Sequence, residues 1–151
     1  MLEDIDRRIL RTLQGAPTLS MAELGERVGL SAARAGRRYD RLCDTGVLKG
    51  VKAVIDWRAM GYAVEVSLRV TLDKADPQAF DSFLAAAREI PEVLELQTFL
   101  GRVDVRLAVI ARDRAHYQEI YRSKILTMPH IADIEALMHV ASVKDAEQLP
   151  L

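Results

Sequence analysis

Four arginines lie close together between Ser31 and Gly46 of this 151-residue chain. They are Arg34, Arg37, Arg38 and Arg41. Offsets of three, four and seven residues place them along one side of a helix. Arginines this close repel one another unless anions are near, and the planar guanidinium suits contacts with both guanine and phosphate. The arginine stripe therefore indicates binding to a polyanion, with pairing to Asp40 and Asp44 on a solvated face as the alternative.

Positive charge is concentrated at the N-terminal end of a chain whose formal net charge is only −1. Residues 1–52 hold ten basic and seven acidic side chains, whereas residues 53–151 hold 11 basic and 15 acidic ones. Within the first part, residues 31–52 carry six basic groups and two acidic ones. Because the charge is separated along the chain, the near-neutral sum does not exclude a nucleic-acid partner.

Three helices are predicted to position the arginine stripe. The first spans Glu3–Gln14, where apolar residues recur at helical spacing. Ser20 and Glu23 form a capping box for a second, short helix. Ser31 is placed to cap the third helix, which is predicted to end near Gly46. Two helices joined by a short turn containing glycine make a helix-turn-helix, in which the first turn of the later helix, around Ser31, points towards base edges.

The segment that follows the third helix is rich in β-branched residues and has a central glycine. Residues 47–55 are therefore predicted to form two short strands of a hairpin wing. Lys49 and Lys52 would extend the positive surface onto this wing. Together with the capped helices, the wing favours DNA binding over a solvated face, and it predicts a winged helix-turn-helix over residues 1–52 followed by a linker over residues 53–61.

The remaining residues, 62–151, predict a second domain with the element order β-α-β-β-α-β. Residues 63–72 alternate strictly between apolar and polar side chains, which is typical of a half-buried strand. The other strands are predicted over residues 93–100, 103–111 and 131–144. Asp76, followed by Pro77 at the first helical position, and Asp113 are predicted to cap the two helices. This order is the ferredoxin-like arrangement, an α+β fold in which one antiparallel sheet carries two helices on one face.

Other chemistry is poorly represented in the sequence. Cys43 is the single cysteine, so no disulfide within the chain and no thiolate metal cluster is expected. The three histidines, His116, His130 and His139, lack metal-ligand spacing, and no Gly-rich phosphate loop occurs. An acidic N-terminus and the absence of long apolar runs argue against a signal peptide or a membrane span. We therefore predict a cytoplasmic protein that is not an enzyme and holds no metal or cofactor.

Several short motifs share their order and spacing with a known protein family. They are Asp4-Ile5-Asp6-Arg7-Arg8-Ile9-Leu10, Glu23-Leu24, Val28-Gly29-Leu30-Ser31, Arg38 with Arg41-Leu42, Gly46-Val47-Leu48, Gly101-x-x-Asp104 and Leu149-Pro150-Leu151. In this order they resemble the leucine-responsive/asparagine-regulator (Lrp/AsnC) family over essentially the whole chain. The resemblance implies a bacterial or archaeal transcription factor that dimerises through the sheet of its second (RAM) domain and assembles to tetramers or octamers.

The resemblance also implies that an amino acid or related metabolite binds as effector in clefts between RAM domains. The cleft residues that it implies are Leu100, Gly101, Arg102 and Asp104, with Ile134 and Ala136 on the final strand of a neighbour. Gly101 would let a ligand approach the backbone, and Asp104 could accept hydrogen bonds from an α-ammonium group. Alternatively, Asp104 bonds only to its own turn. Arg102 could attract a ligand carboxylate, or pair with Glu95 or Asp104.

Two other functions fit parts of the sequence. Sirohaem decarboxylase subunits share the two-domain architecture, but a tetrapyrrole pocket would need histidines near Gly101, where only Arg102 and Arg106 are found. An assembly scaffold that has lost DNA binding is the other alternative, and the arginine stripe argues against it. The sequence therefore predicts a DNA-binding transcriptional regulator that reads a pseudo-palindromic operator as a homodimer.

Overall fold

The computed structural model describes residues 2–144 and 148–151 of the chain. Contacts divide the chain into two compact units, Met1–Val54 with Lys144–Leu151, and Ile55–Val143. The C-terminal residues thus group with the first unit, whereas the sequence predicts a second domain that continues to residue 151. Among the described residues, no helix is both long enough and apolar enough to cross a membrane.

The first unit contains three helices whose ends agree with the predicted caps. They are α1 (Asp4–Gly15), α2 (Met21–Val28) and α3 (Ala32–Asp44). The Ser20 hydroxyl accepts from the Glu23 amide, and the Glu23 carboxylate accepts from the Ser20 amide, which confirms the capping box of α2. The Ser31 hydroxyl accepts from the Arg34 amide and caps α3.

The three helices pack around a small apolar core. Its buried members are Ile9, Leu13, Leu24, Val28, Ala35 and Leu42. A Cβ added at Gly25 would lie 2.6 Å from the Leu30 carbonyl oxygen, so α2 approaches the turn before α3 at a distance that only glycine allows. Gly29 then ends α2 with a φ of 75°, in the left-handed region. The angle between α2 and α3 is therefore set by close backbone packing.

The predicted strand pair of the wing is not formed. Residues 47–55 contain no strand, although the Leu48 amide still donates to the Leu42 carbonyl just after α3. Val51, Val54 and Ile55 are exposed, so this segment buries too little apolar surface to hold a hairpin. An isolated two-stranded hairpin is marginal in water, which accounts for the difference.

The second unit is an antiparallel four-stranded sheet with the strand order β2-β3-β1-β4. Its elements are β1 (Val64–Leu72), α4 (Ala79–Arg88), β2 (Val93–Thr98), β3 (Val105–Ala111), α5 (Arg114–Ile120), a π-helical turn (Tyr121–Ile125) and β4 (Ile131–Met138). This order confirms the predicted β-α-β-β-α-β arrangement. The predicted cap of α5 is also confirmed, since the Asp113 carboxylate accepts from the His116 amide.

Two element boundaries of this unit differ from the prediction. Helix α4 begins at Ala79 because the Asp76 carboxylate accepts from the Gln78 amide and closes a turn there. Strand β4 ends at Met138, although the sequence predicts a strand to residue 144. Its partner β1 begins at Val64, so pairing runs out soon after Met138.

The two faces of the sheet differ in chemistry. One face of β1 buries Val66, Leu68, Val70 and Leu72 against the core. The other face carries the alternating polar residues, and Arg69 lies there between Arg106 on β3 and Glu135 on β4. The face opposite the core is therefore polar and charged.

Candidate nucleic-acid interface and ligand site

The arginine stripe of α3 separates into two pairs with different surroundings. Arg34 and Arg37 are exposed, and neither makes an ion pair with another described residue. Arg38 and Arg41 instead pair with carboxylates of α1 and its cap. Among these residues, all of which the structure describes, no arginine of the stripe pairs with Asp40 or Asp44, so the alternative of a self-paired solvated face is wrong.

Arg38 and Arg41 hold α3 against the start of α1 through Asp6. Arg38 donates to Asp6 Oδ1 at 2.9 Å, and Arg41 donates to Asp6 Oδ2 at 3.0 Å. Arg38 also donates to Glu3 Oε2 at 2.8 Å. Asp6 is completely buried. Burial alone would raise the pKa of Asp6, but hydrogen bonds from the Glu3 amide and Arg38 outweigh it and hold this pKa below its ordinary value.

The sequence reasoning identified the arginines but missed Glu3 and Asp6. These carboxylates lie 35 and 32 residues before Arg38, so no local spacing links them. The available signal was an acidic residue among the apolar positions of α1, next to Ile5 and before Ile9. A buried carboxylate in that position needs a cationic partner, and α3 supplies two.

The remaining predicted DNA contacts are accessible. Ser31 caps α3 and is exposed together with the first helical turn. Lys49 and Lys52 are also exposed, in the irregular segment that follows α3. The first unit therefore presents to solvent a capped helix start, two lysines and two arginines that form no ion pair within the described part of the chain. These donors suit phosphates and base edges.

Asp104 is held by the end of β1. Its carboxylate accepts from the Leu72 amide at 2.9 Å and from Lys74 Nζ at 2.8 Å, and the residue is only 3% exposed. The hydrogen bond from Lys74 lowers the pKa of Asp104 below its ordinary value. Neither partner belongs to the turn before Asp104. The alternative, in which Asp104 bonds only to its own turn, is therefore wrong.

The turn between β2 and β3 is open to solvent. Leu100, Gly101 and Arg102 are exposed, and a Cβ at Gly101 would meet no atom within 4 Å. The Arg102 carbonyl accepts from Thr71 Oγ1 at 3.2 Å, which ties the turn to β1. The two predicted ion pairs of Arg102 are not formed, since Glu95 pairs with Arg106 and Asp104 pairs with Lys74.

Two adjoining cavities lie on the polar face of the sheet beside this turn. The first, of about 390 Å³, is lined by Arg69, Thr71, Arg102, Val103, Asp133 and Glu135. The second, of about 330 Å³, is lined by Arg69, Phe99, Val103 and Arg106. Arg106 donates to Glu95 at 2.7 Å, while its Nε is buried and has no hydrogen-bond partner among the described residues. Sequence reasoning missed Arg69 and Phe99, because only strand register brings them beside Arg102.

The two remaining predicted effector residues lie on the edge strand β4. Ile134 is paired with Val70 and packs partly against the core, and Ala136 is paired with Leu68. Both are on the opposite edge of the sheet from the β2–β3 turn. Their predicted role was to complete the cleft of a neighbouring chain, and that role stays a prediction.

Family models match both units of the chain. A winged helix-turn-helix DNA-binding model matches residues 2–49, and an Lrp/AsnC ligand-binding domain model matches residues 65–149. The first match contains the exposed start of α3, and the second contains the sheet and both cavities.

Relatives and solved structures match over nearly the full length. The glutamate uptake regulatory protein of Zymomonas mobilis is 31% identical over 99% of this chain and 91% of its own length. A transcriptional regulator from Neisseria meningitidis, solved with L-Met, superposes with a TM-score of 0.91 at 27% identity, covering 99% of this chain and 97% of that one. An AsnC family transcriptional regulator from Agrobacterium tumefaciens gives a TM-score of 0.89 at 30% identity, covering 99% and 97%. The chain therefore belongs to the Lrp/AsnC family.

Proposed function

We propose that this chain is a sequence-specific DNA-binding transcriptional regulator of the Lrp/AsnC type. The observation that carries the proposal is the exposed start of α3 within a matched helix-turn-helix, where the side chains of Arg34 and Arg37 make no ion pair with any described residue. In such a motif the later helix enters the major groove with its N-terminal residues at the base edges. Ser31 and Arg34 would then lie at the bases, and Arg37 would contact bases or phosphates.

The two pairs of arginines would have different roles in DNA binding. Arg38 and Arg41 orient α3 on α1, so substitutions there would affect stability as well as affinity. Arg41 keeps half of its side chain exposed and can still reach a phosphate. Lys49 and Lys52, which are exposed in the irregular segment after α3, would add phosphate contacts that carry no sequence information.

A fluorescence-anisotropy titration tests this division. The probe is a genomic fragment recovered by pull-down with the purified chain. Arg37→Ala is expected to weaken binding at least tenfold and to reduce the slope of log affinity against log salt by about one, with the unfolding midpoint unchanged. Arg38→Ala is expected to lower both affinity and the unfolding midpoint. Unchanged affinity in Arg37→Ala would contradict the proposed docking.

The second unit would bind an amino acid or related metabolite beside the β2–β3 turn. Support comes from the ligand-binding family match and from the charged lining of the two cavities, which offers arginines in both and the carboxylates of Asp133 and Glu135 in the first. Arg69 lines both cavities and offers a cationic donor to a ligand carboxylate. The related regulator from Neisseria meningitidis was solved with L-Met, which makes amino acids the first compounds to try.

We also propose that the active form is a homodimer that assembles further to tetramers or octamers. The polar sheet face and the edge strand β4, with Ile134 and Ala136, would contribute to contacts between chains. Light scattering coupled to size exclusion measures the assembly with and without each amino acid. Thermal-shift screening identifies the effector, because a ligand that binds only the folded state raises the midpoint. A strictly monomeric chain would contradict the assembly proposal.

A further inference from the structure

Helix α1 carries a second cluster of arginines, on the side away from its buried residues. The members of this cluster, which we call the α1 arginine face, are exposed and are Arg7, Arg8 and Arg11. The buried residues of the same helix are Asp6, Ile9 and Leu13. Offsets of three and four residues make the arginines neighbours on the helix surface, where like charges repel. Within α1 only Asp4 adds an exposed carboxylate, so the face keeps a positive charge.

Ion pairing inside the first unit leaves the α1 arginine face uncompensated. Residues 1–30 hold four basic and five acidic side chains, which taken alone would make this segment slightly acidic. Two of those carboxylates, however, are bound to Arg38 and Arg41 of α3. Arg11 Nε donates to the Leu151 main-chain oxygen, but Arg7 and Arg8 form no ion pair with another described residue. Exposed positive charge therefore lies on α1 as well as on α3.

The α1 arginine face points away from α3. Asp6 marks the side of α1 that faces α3, because its carboxylate accepts hydrogen bonds from two arginines of that helix. With about 3.6 residues per turn, Arg7, Arg11 and Arg8 lie roughly 100°, 140° and 160° around α1 from Asp6. A duplex in contact with the start of α3 would therefore leave this face open to other DNA.

We propose that the α1 arginine face binds the phosphate backbone of a second DNA segment while α3 reads the operator. The inference rests on the proposed function, which places the first unit on DNA. Phosphate is favoured over an acidic protein surface because a guanidinium group contacts two phosphate oxygens at once, and because a bound operator keeps further DNA close by. Contacts with phosphates carry no sequence information, so a duplex of any sequence would serve.

Capture of a second duplex tests this surface. The genomic fragment is trimmed to the part that the chain protects from nuclease, immobilised, and bound by the full-length chain. A labelled duplex of random sequence is then titrated at several salt concentrations. Arg7→Ala/Arg8→Ala is expected to weaken capture at least tenfold and to lower the slope of log affinity against log salt by about two. Its affinity for the trimmed fragment is expected to change less than about twofold.

A second comparison removes the contribution of α3, since an assembly of chains could capture DNA through a free copy of that helix. In Arg34→Ala/Arg37→Ala, salt-dependent binding of the random duplex is expected to persist. Adding Arg7→Ala/Arg8→Ala to this variant should weaken the remaining binding at least tenfold. The matched control adds two substitutions of exposed arginines in the second unit instead, Arg114→Ala/Arg122→Ala, and should weaken it less than about threefold.

The outcomes separate this inference from the proposed function. Failure of the unsubstituted chain to bind either DNA would overturn both. Equal binding of the random duplex by the Arg7→Ala/Arg8→Ala variants and the control would overturn the α1 contact alone. A parallel loss of affinity for the trimmed fragment would place Arg7 and Arg8 on the operator itself and overturn the second segment. The unfolding midpoint of Arg7→Ala/Arg8→Ala should not fall, because like charges are removed, and a lower midpoint would overturn the inference by showing a structural role.

Discussion

Asp6 offers the most direct test of how the helix-turn-helix is held together. Its buried carboxylate accepts from the Glu3 amide at 3.0 Å and from Arg38 and Arg41 at 2.9 and 3.0 Å. Asp6→Asn keeps the size of the side chain but removes its charge and one of its accepting oxygens. The two arginines then lose their common buried partner, although both retain access to water.

The magnitude follows from the bonds that are lost. Hydrogen bonds that involve a charged group contribute about 1.5–3 kcal/mol each, and removal of one partner of a fully buried pair costs about 3–5 kcal/mol. Because the arginines are partly exposed, the loss is towards the lower end, and we expect about 2 kcal/mol. For a domain of 60–100 residues a loss of 1 kcal/mol lowers the midpoint by roughly 4–8 °C, so a shift of about 10 °C is expected.

Thermal unfolding followed by circular dichroism at 222 nm measures the shift. Asp4→Asn is the matched control, since Asp4 lies in the same first turn of α1 but is exposed. We expect the control to change the free energy of unfolding by less than about 0.5 kcal/mol. We call the pairing of Asp6 with Arg38 and Arg41 the Asp6 clamp. Equal midpoints for Asp4→Asn and Asp6→Asn would show that this clamp does not stabilise the unit.

Further predictions concern acid stability, helix α3 and the ligand site. The folded-state pKa values of Asp6 and Asp104 are both below the ordinary 3.8, so their contributions are present above pH 3.8 and are lost as the pH falls below it. Midpoints measured from pH 6 to pH 2.5 should fall below about pH 4, and less steeply in Asp6→Asn; parallel curves would contradict this. Gly36→Ala should stabilise α3 by about 1 kcal/mol in urea unfolding, because a Cβ there meets only Met21 Cγ, at 3.8 Å. A loss of stability would show a clash. Lys74→Met should raise the affinity of an amino-acid effector several-fold in calorimetric titration. In the unsubstituted chain the Lys74 ammonium occupies Asp104 Oδ1, the oxygen that an α-ammonium group of the effector would need. Lys74→Arg is the control, and weaker binding by Lys74→Met would mean that Lys74 contacts the ligand itself.

Local signals predicted the elements of both units well. The capping box at Ser20, the Ser31 and Asp113 caps, and the alternation along β1 depend on residues near one another in the sequence, and all are confirmed. The prediction of two strands over residues 47–55 was wrong, because β-branched residues form strands only where one face of the strand can be buried. The prediction that β4 continues to residue 144 was wrong, because a strand needs a pairing partner. Strand β1 begins at Val64 and offers no partner far beyond Met138.

Features of the candidate sites that depend on distant residues could not be predicted. The Asp6 clamp, the Lys74–Asp104 pair and the arginine-lined cavities each join elements that only packing brings together. The amino-acid type was still informative for Arg38, Arg41 and Asp104, which the sequence identifies as candidates. It did not identify their partners Asp6 and Lys74, nor Arg69 in the cavities. What the sequence could not supply was the choice of partner, and that choice separates Arg38 from Arg37.

The close approach at Gly25 couples the packing of α2 to the direction of the arginine stripe. Any side chain at this position would meet the Leu30 carbonyl oxygen, so the backbone between α2 and α3 would have to move. Because α3 carries Arg34 and Arg37, this movement would redirect both side chains although neither is substituted. A substitution at a glycine far from the exposed arginines would therefore change how they are presented to DNA.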